Sequence, residues 1–406
     1  MASIHPLRAL RPAPDAAPAV SSVPYDVVST EEARELARNN PLSFLRVTRS
    51  EIDLPPDADP YAARVYQRAR ENFQKLRERA ALMMDETPSL YLYRLRMGSH
   101  EQTGLAGCFS VDEYERDLIK KHERTRRDKE DDRTRHIVEV RAQTGVVFLT
   151  YRALEEVDAA MKRATAGEPL YDFTAEDGVQ HTVWRAGQED TKTLVAAAKK
   201  IPALYIADGH HRAASAARAR NEMRGRPAET TAASSFIAVA FPDKEVQILP
   251  YNRTVKDLAG RPATQFFKML SDRFAVAPGN ATPAGKGEVA MYLAGKWYTI
   301  DLKGAKAGDG TRAGSLDVAR LQRSVLEEFL NVGDVRTDKR IDFIGGARGT
   351  KALEKAVDSG KAAVAFSLHP VTVDDLMAIS DAGGIMPPKS TWFEPKLRDG
   401  LLIHVI

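Results

Sequence analysis

The stretch that most constrains the fold runs from residue 201 to residue 218, where an apolar segment meets a polar turn and then an alanine-rich segment. Asp208 and Gly209 end the apolar part, and His210, His211 and Arg212 open a segment of high helix propensity. This order predicts a strand, a tight turn and a helix. The backbone N–H groups of the turn would then point outward at the positive end of the helix dipole, where anions bind.

The side chains of this turn indicate a phosphate site. Arg212 carries a forked guanidinium that fits a phosphate group, and Asp208 stands where it would hold a metal ion or a substrate hydroxyl. The residues assigned to phosphate binding are Gly209, His210, His211 and Arg212. The alternative is that Asp208 only caps the helix and that the histidines are surface residues. Against it, four polar groups crowd one turn in which a cap needs a single group.

Composition limits the class of protein. With 406 residues the chain exceeds one typical core, which favours two domains. The net charge of +3 gives no strong case for nucleic-acid binding. The single cysteine, Cys108, excludes an intramolecular disulfide and fits a reducing cytoplasm. No apolar run is long enough to span a bilayer and no signal-peptide core is present, so we expect a cytoplasmic protein without membrane partners.

Short helices and hairpins alternate along the chain, which favours an α+β fold with mixed sheets. Ser29 ahead of acidic residues predicts a helix to about residue 39, and residues 42–47 are typical of a strand. Two alternating runs, 235–241 and 246–251, predict a hairpin. Glycine and proline enrichment beyond residue 255 divides the chain into an α+β domain (1–255) and a smaller α/β domain (256–406).

Two further motifs lie in the second of these domains. Residues 345–349 form a glycine-rich turn around Arg348, whose backbone amides are suited to phosphate. The turn matches neither the dinucleotide fingerprint nor the Walker loop, and the alternative is a tight turn that needs positive φ. Lys389, Ser390 and Thr391 offer a cation and two hydroxyls behind two prolines that stiffen the approach. We expect both motifs to line the same cleft as Asp208.

Several kinds of catalysis are disfavoured by the motifs that the sequence lacks. No HExxH is present, and the adjacent His210 and His211 would point in different directions, so a zinc hydrolase is disfavoured. No GxSxG elbow occurs and Cys108 lies in a strand-like run, which disfavours covalent acyl transfer. The remaining acids, cationic turns and hydroxyls are the set that phosphoryl transfer requires.

The charged segment 120–133 is the most ambiguous part of the sequence. It contains His122, Glu123 and Thr125 close together and is flanked by apolar runs. The alternative to a functional role is a solvated helix face.

Six motifs resemble those of the family known as domain of unknown function 1015, and the chain is identified as a member over nearly its whole length. The motifs are PYDV at residues 24–27, HERT at 122–125, DGHHR at 208–212, PYNR at 250–253, DFIGG at 342–346 and MPPKSTWFEPK at 386–396.

The DGHHR turn alone is similar to the nucleotide-binding turn of the ParB/sulfiredoxin superfamily, which includes free-serine kinases, CTP-binding partition proteins and sulfiredoxin. The resemblance implies a ParB/sulfiredoxin-like N-terminal part with nucleotide phosphates on the helix N-terminus. The sulfiredoxin cysteine is absent and no helix-turn-helix is evident, so the kinase branch remains. A glutamate preceding the motif acts as base there, and Glu123 is our candidate by position.

The leading hypothesis is a nucleotide-dependent kinase that phosphorylates the hydroxyl of a small metabolite, with free serine as the first guess. ATP or ADP and Mg²⁺ are the expected cofactors, Glu123 is the expected base, and Asp208 is both catalytic and the metal ligand. The residues expected to contact the substrate are Asp26, His122, Thr125, Asn252 and Arg253. The alternative is a regulator that binds or slowly hydrolyses nucleotide. The oligomeric state is left open.

Overall fold

The computed structural model describes residues 3–79, 82–225, 231–305 and 308–406. The chain divides into a first unit, Met1–Val246 with Pro395–Ile406, and a second unit, Gln247–Glu394. The division expected from the sequence, 1–255 and 256–406, differs from this at both ends of the second unit. Strand pairing explains why: Tyr251–Val255 pairs within the second unit, whereas His404–Val405 pairs with Ala142–Gln143 of the first.

The helices and strands of the two units are numbered along the chain. The α-helices are α1 (Ala17–Val20), α2 (Thr30–Ala37), α3 (Leu45–Thr48), α4 (Ala63–Arg79), α5 (Val111–Glu115), α6 (Arg127–Val140), α7 (Glu155–Ala164), α8 (Gln188–Ala198), α9 (His210–Met223), α10 (Ala263–Ser271), α11 (Asp317–Leu321), α12 (Glu328–Leu330), α13 (Lys351–Asp358) and α14 (Val373–Asp381). The strands are β1 (Ile4–His5), β2 (Leu10–Arg11), β3 (Met83–Met84), β4 (Tyr91–Met97), β5 (His100–Ser110), β6 (Ile119–Lys120), β7 (Ala142–Gln143), β8 (Val147–Tyr151), β9 (Tyr171–Thr174), β10 (Gln180–Arg185), β11 (Leu204–Asp208), β12 (Ser235–Pro242), β13 (Gln247–Leu249), β14 (Tyr251–Val255), β15 (Val276–Pro278), β16 (Glu288–Leu293), β17 (Lys296–Asp301), β18 (Ile341–Gly345), β19 (Val364–Leu368), β20 (Trp392–Glu394) and β21 (His404–Val405).

A mixed sheet organises the first unit. Within the described residues it has nine strands in the order β6-β11-β8-β12-β5-β4-β10-β9, with β1 added beside β5. β6 runs parallel to β11 and β12 runs parallel to β8, and the other pairs are antiparallel. The apolar residues of the central strands, among them Leu149, Ile206 and Ala238, are buried in the core. The mixed sheet confirms the α+β prediction.

The second unit has its own sheet, with strand order β15-β17-β16-β19-β14-β18. Every pair in it is antiparallel. A π-helical stretch, Gln322–Glu327, joins α11 to α12. No helix within the described ranges is both long enough and apolar enough to cross a membrane.

The sequence predicted the start of α2 correctly and the segment that follows it wrongly. Ser29 caps α2 in a reciprocal capping box with Glu32, as expected. Residues 42–47 were expected to form a strand, but the chain turns into α3 there. The side chain of Asn40 accepts the Leu42 N–H, and such local side-chain bonds stabilise turns in place of a ladder.

The hairpin expected from residues 235–251 is not formed. β12 pairs with β5 and β8, so both of its edges are occupied inside the first unit. β13 pairs with β20, in the second unit. The alternation of apolar and polar residues identified the strands correctly, but it carries no information about which strands become neighbours.

Candidate functional site

The turn between β11 and α9 is the centre of the candidate site. β11 ends at Asp208 and α9 begins at His210, which confirms the predicted strand, turn and helix. Gly209 has a φ of +94°, a left-handed conformation that is costly for residues with a Cβ atom. Gly209, at the N-cap of α9, has no side chain that could bond the first N–H groups of the helix.

Asp208 lies between two cations. Its Oδ2 is 3.1 Å from Nζ of Lys396 and 3.7 Å from a guanidinium nitrogen of Arg212. Burial alone would raise the pKa of Asp208, but Lys396 and Arg212 outweigh it and hold the pKa well below its usual range. A carboxylate that is already neutralised by two cations does not fit a Mg²⁺ ligand. Lys396 was missed as a site residue, although it ends the last of the six sequence motifs.

Arg212 is buried and its guanidinium faces protein acceptors. Nη2 donates to Asp26, at 3.0 Å from Oδ2, and Nη1 donates to the Val146 carbonyl. Burial lowers the pKa of Arg212, but Asp26, Asp208 and Asp399 outweigh it and raise the pKa above the usual value. The fork that was expected to face phosphate is therefore engaged by the carboxylate of Asp26.

Asp399 completes the charges around this arginine. Its side chain is buried, and Oδ1 accepts a long hydrogen bond of 3.4 Å from the Val146 N–H. Burial raises the pKa of Asp399 to about 7, with a further contribution from Asp26, while Arg212 opposes the shift. Sequence reasoning missed this group, because a single aspartate near the end of the chain has no characteristic pattern.

A pair of buried histidines lies beside the turn. Parallel pairing sets Lys120 opposite Tyr205, so the chain two residues after β6 reaches the end of β11. The rings of His122 and His210 meet edge to face with centroids 4.4 Å apart. The His122 N–H donates to Nε2 of His210 at 3.4 Å, which leaves the ring proton of a neutral His210 on Nδ1.

Burial dominates the ionisation of both rings. It lowers the pKa of His122 to about 4, although the Ile206 backbone and Asp208 oppose the shift. It also lowers the pKa of His210 well below the usual value, together with the neighbouring His122. By distance and angle neither ring nitrogen of His122 makes a regular hydrogen bond, although the Ile206 backbone is close enough to favour the charged form of the ring. Both histidines are therefore neutral at pH 7.

Glu123 is exposed and lies next to this pair. One ligand atom each from His122, Glu123 and His210 lies within 4.8 Å of the others. The remaining residues of the two motifs have other partners. Thr125 donates to Glu130 in α6, and Nε2 of His211 accepts the Arg126 N–H at 3.0 Å. His210 and His211 thus point to different neighbours, as the sequence predicted.

In the second unit, Asn252 and Arg253 are almost completely buried. Asn252 Oδ1 accepts the Leu368 N–H, and Arg253 donates to the carbonyls of Tyr251, Pro388 and Lys389. Burial lowers the pKa of Arg253 to about 10. These bonds connect β14 to the strand that contains Leu368 and to the segment before β20.

The other residues predicted in the second unit occupy varied environments. Arg348 and Lys389 are exposed, and the Lys389 ammonium lies 5.5 Å from the centre of the Tyr251 ring. Ser390 is buried and donates to the Pro387 carbonyl, while Thr391 is half-buried. Ser390 also lines a cavity of about 350 Å³ together with Tyr251, Arg320 and His369.

Cys108 has a histidine neighbour that the sequence did not indicate. Its Sγ lies 3.7 Å from Nδ1 of His404 in the first unit. Burial raises the pKa of Cys108 to about 12, so the thiolate form is scarce at neutral pH. This geometry agrees with the exclusion of a cysteine nucleophile.

Comparison with known proteins identifies the family. The family model described as "Protein of unknown function (DUF1015)" matches residues 4–319, and the chain belongs to that family. No curated protein matches the sequence.

Among solved structures, a mutant of a free serine kinase in complex with AMP is 12% identical, with a TM-score of 0.37, and the match covers 73% of this chain and 91% of that one. SbnI with a C-terminal truncation, from Staphylococcus aureus, is 11% identical, with a TM-score of 0.33 and coverage of 74% and 87%. A conserved hypothetical protein from Pyrococcus furiosus is 13% identical, with a TM-score of 0.36 and coverage of 73% and 94%. Likeness at this level describes neither the substrate nor the reaction of this chain.

Proposed function

We propose that this protein is a nucleotide-dependent kinase that transfers a phosphoryl group to the hydroxyl of a small metabolite, with free serine as the first candidate. The observation that carries the proposal is the uncapped start of α9, with Lys396 and Glu123 on the segments that meet there. Backbone N–H groups in the first turn of a helix and an adjacent ammonium bind phosphate oxygens. An exposed carboxylate within the same unit supplies a base.

Each group has a defined part in the proposed reaction. The N–H groups of residues 210–212 and the Lys396 ammonium bind the nucleotide phosphates. Glu123 accepts the proton of the substrate hydroxyl while that oxygen bonds to the terminal phosphorus, and the bond to the bridging phosphate oxygen breaks. Arg212 is a positioning residue, because it holds Asp208 and Asp26 without reaching the phosphate itself.

Magnesium has a restricted place in this proposal. Asp208 is neutralised by Lys396 and Arg212, so no step depends on a metal at that carboxylate. Asp26 and Thr125 remain proposed substrate contacts in the first unit. Contacts from Arg348, Lys389, Ser390, Thr391, Asn252 and Arg253 remain predictions of the sequence.

The first experiment measures binding and turnover. Isothermal titration with ATP, ADP and CTP in the presence of Mg²⁺ should detect binding of at least one nucleotide. Turnover of labelled ATP or ADP should then rise with a hydroxyl amino acid such as serine and not with alanine. No binding of any nucleotide at millimolar concentration would sink the proposal.

The same assay separates the kinase from the regulatory alternative. Slow nucleotide hydrolysis whose rate does not change with any added metabolite would identify a nucleotide-binding regulator. The mutual neutralisation of Asp208, Lys396 and Arg212 is the feature that favours this second function, since it leaves few free charges for catalysis.

The base is tested by Glu123→Gln. The variant should lose about 10²–10⁴ in kcat while nucleotide affinity changes little, because the amide no longer accepts the proton. Glu168→Gln is the matched control, since Glu168 is also exposed and lies outside the site. An undiminished kcat in Glu123→Gln would remove Glu123 from the mechanism.

A further inference from the structure

The three side chains His122, Glu123 and His210 form a cluster whose chemistry the phosphoryl-transfer proposal does not use fully. A ligand atom of each lies within 4.8 Å of the other two. Both histidines are buried and the glutamate is exposed, so the cluster has a buried side and an open side. An ion could enter from the glutamate side.

The buried side of the cluster is short of hydrogen bonds. His122 is 2% exposed, and neither of its ring nitrogens makes a regular hydrogen bond. The Nε2 lone pair of His210 meets only the His122 N–H, at 3.4 Å, which is long for a hydrogen bond. Buried polar groups are normally satisfied, and an unsatisfied imidazole beside a second one is the arrangement that a metal ion completes.

We infer that His122, Glu123 and His210 bind a divalent transition-metal ion such as Zn²⁺ or Co²⁺. Two imidazoles and one carboxylate are ligands that these ions prefer, whereas Mg²⁺ prefers oxygen ligands alone. Three protein ligands also leave a fourth position open to water. Zinc–nitrogen bonds of about 2.0–2.1 Å place neighbouring ligand atoms roughly 3.3 Å apart. Metal binding therefore requires the three ligand atoms, which lie within 4.8 Å of one another, to move closer together.

The fold supports the two histidines from different elements. His122 follows β6, and His210 is the first residue of α9. α9 is fixed against α6 by the Ser215 hydroxyl, which donates to the Glu130 carbonyl, and by an ion pair between Arg218 and Glu130 at 3.2 Å. Rigid support of this kind keeps both rings in place before metal arrives.

Metal binding would have a consequence for activity, and this step rests on the proposed function. Glu123 is the proposed base, so an ion that takes up its carboxylate should inhibit phosphoryl transfer. A chelator should restore the rate. The binding itself is independent of that function and is measured without nucleotide.

The test uses the full-length protein after chelator treatment and dialysis. Titration with Co²⁺ should give one equivalent per chain, with visible absorption bands of nitrogen and oxygen ligation, and Zn²⁺ should displace it. Excess Mg²⁺ should not. The absorption spectrum reports on the ligands directly, without any variant.

Variants then locate the site. Loss of a group that supports a metal ligand typically lowers metal affinity roughly 10–100-fold. His122→Ala and His210→Ala remove ligands themselves, so each should lower the affinity for Co²⁺ by more than that. Glu123→Gln should lower the affinity less than either histidine variant does. His211→Ala is the matched control, since His211 is adjacent to His210 in sequence but accepts a hydrogen bond from Arg126. The His211→Ala variant should bind Co²⁺ as tightly as the unchanged protein. Circular dichroism confirms that each variant is folded.

Two results would overturn the inference. One is the absence of binding at tens of micromolar Co²⁺ or Zn²⁺. The other is binding that keeps its affinity in the folded His122→Ala and His210→Ala variants. Metal binding without any kinase activity would support this site and contradict only the proposed function.

Discussion

The turn after β11 in the first unit and the turn after β18 in the second both lead from a strand towards a helix through glycine, but different interactions hold them. The first is a charged turn: Asp208 pairs with Lys396, and Arg212 pairs with Asp26. The second is an apolar turn. A Cβ atom at Gly345 would lie 2.5 Å from the Trp392 ring, and one at Gly346 would lie 2.8 Å from Leu249.

The glycines themselves show the same contrast. Gly209 is required by its φ of +94°, whereas Gly345 has a φ of −62° and is required because Trp392 packs on its Cα. Within the second turn, it is Gly349 that has a positive φ, of +66°. The two turns therefore need glycine for different reasons, one for its backbone conformation and the other to admit an aromatic ring.

The largest expected effect separates the two arginines of these turns. Arg212→Met leaves three acidic groups without their shared cation, and removal of one partner from a buried ion pair costs about 3–5 kcal/mol. Arg348→Met changes an exposed side chain and should cost less than about 1 kcal/mol. Hydrogen exchange measured separately on peptides of each unit gives both values. Similar losses in both variants would contradict the contrast.

The second effect concerns pH and belongs to the charged turn alone. Asp399 has a folded-state pKa of about 7, above the ordinary value for aspartate, so the folded state binds the extra proton. Stability from this group should therefore fall as pH rises from about 4 to about 7 and stay low above that. Arg212 and Arg133 oppose this shift and Asp26 adds to it.

Asp399→Asn tests this effect. Relative to the unchanged protein, the variant should gain stability at pH 8, by as much as a few kcal/mol, and should gain clearly less at pH 5. Urea unfolding of the first unit at both pH values measures the difference. An equal change at pH 5 and pH 8 would show that Asp399 does not carry a raised pKa.

The third effect tests packing in the apolar turn. Gly345→Ala places a Cβ atom 2.5 Å from Trp392 and should destabilise the second unit by about 1–3 kcal/mol. Gly333→Ala is the control, since no atom lies within 4 Å of a Cβ there and its φ is not positive. If both variants unfold at the same urea concentration, close packing is not the reason for Gly345.

The smallest expected effect tests whether backbone conformation, and not lack of space for a side chain, is the reason for glycine at position 209. Asparagine tolerates the left-handed region better than alanine does, so Gly209→Asn should be more stable than Gly209→Ala by about 1 kcal/mol or less. At Gly345 the order should be reversed, because asparagine is the larger residue. The four unfolding midpoints are the measurement, and the same order at both positions would contradict the account.

Much of the first turn was predictable and much of its environment was not. The apolar run, Gly209 and the alanine-rich segment specify strand, turn and helix locally, and both the turn and the helix were found. The hydrogen-bond partners of Arg212 are Asp26 and Val146, which are far from it in sequence. No local pattern carries that information, so a side chain expected to face phosphate faces a carboxylate.

The histidine pair illustrates the same limit. His122 and His210 are brought together by parallel pairing of β6 with β11, a long-range choice that hydrophobic pattern does not specify. The prediction of a hairpin at 235–251 was wrong for the same reason, because long-range pairing places β12 between β5 and β8. Ser29 and its capping box succeeded because the cap is complete within four residues.

The central claim is that the start of α9 binds nucleotide phosphates, and hydrogen exchange with and without saturating ATP and Mg²⁺ tests it most directly. The account predicts slower exchange in the peptide containing residues 206–214 when nucleotide is present, because the N–H groups at the start of α9 would donate to phosphate. Exchange in the peptide containing 345–350 shows in the same experiment whether Arg348 takes part. Saturating nucleotide that leaves residues 206–214 unprotected would contradict the claim.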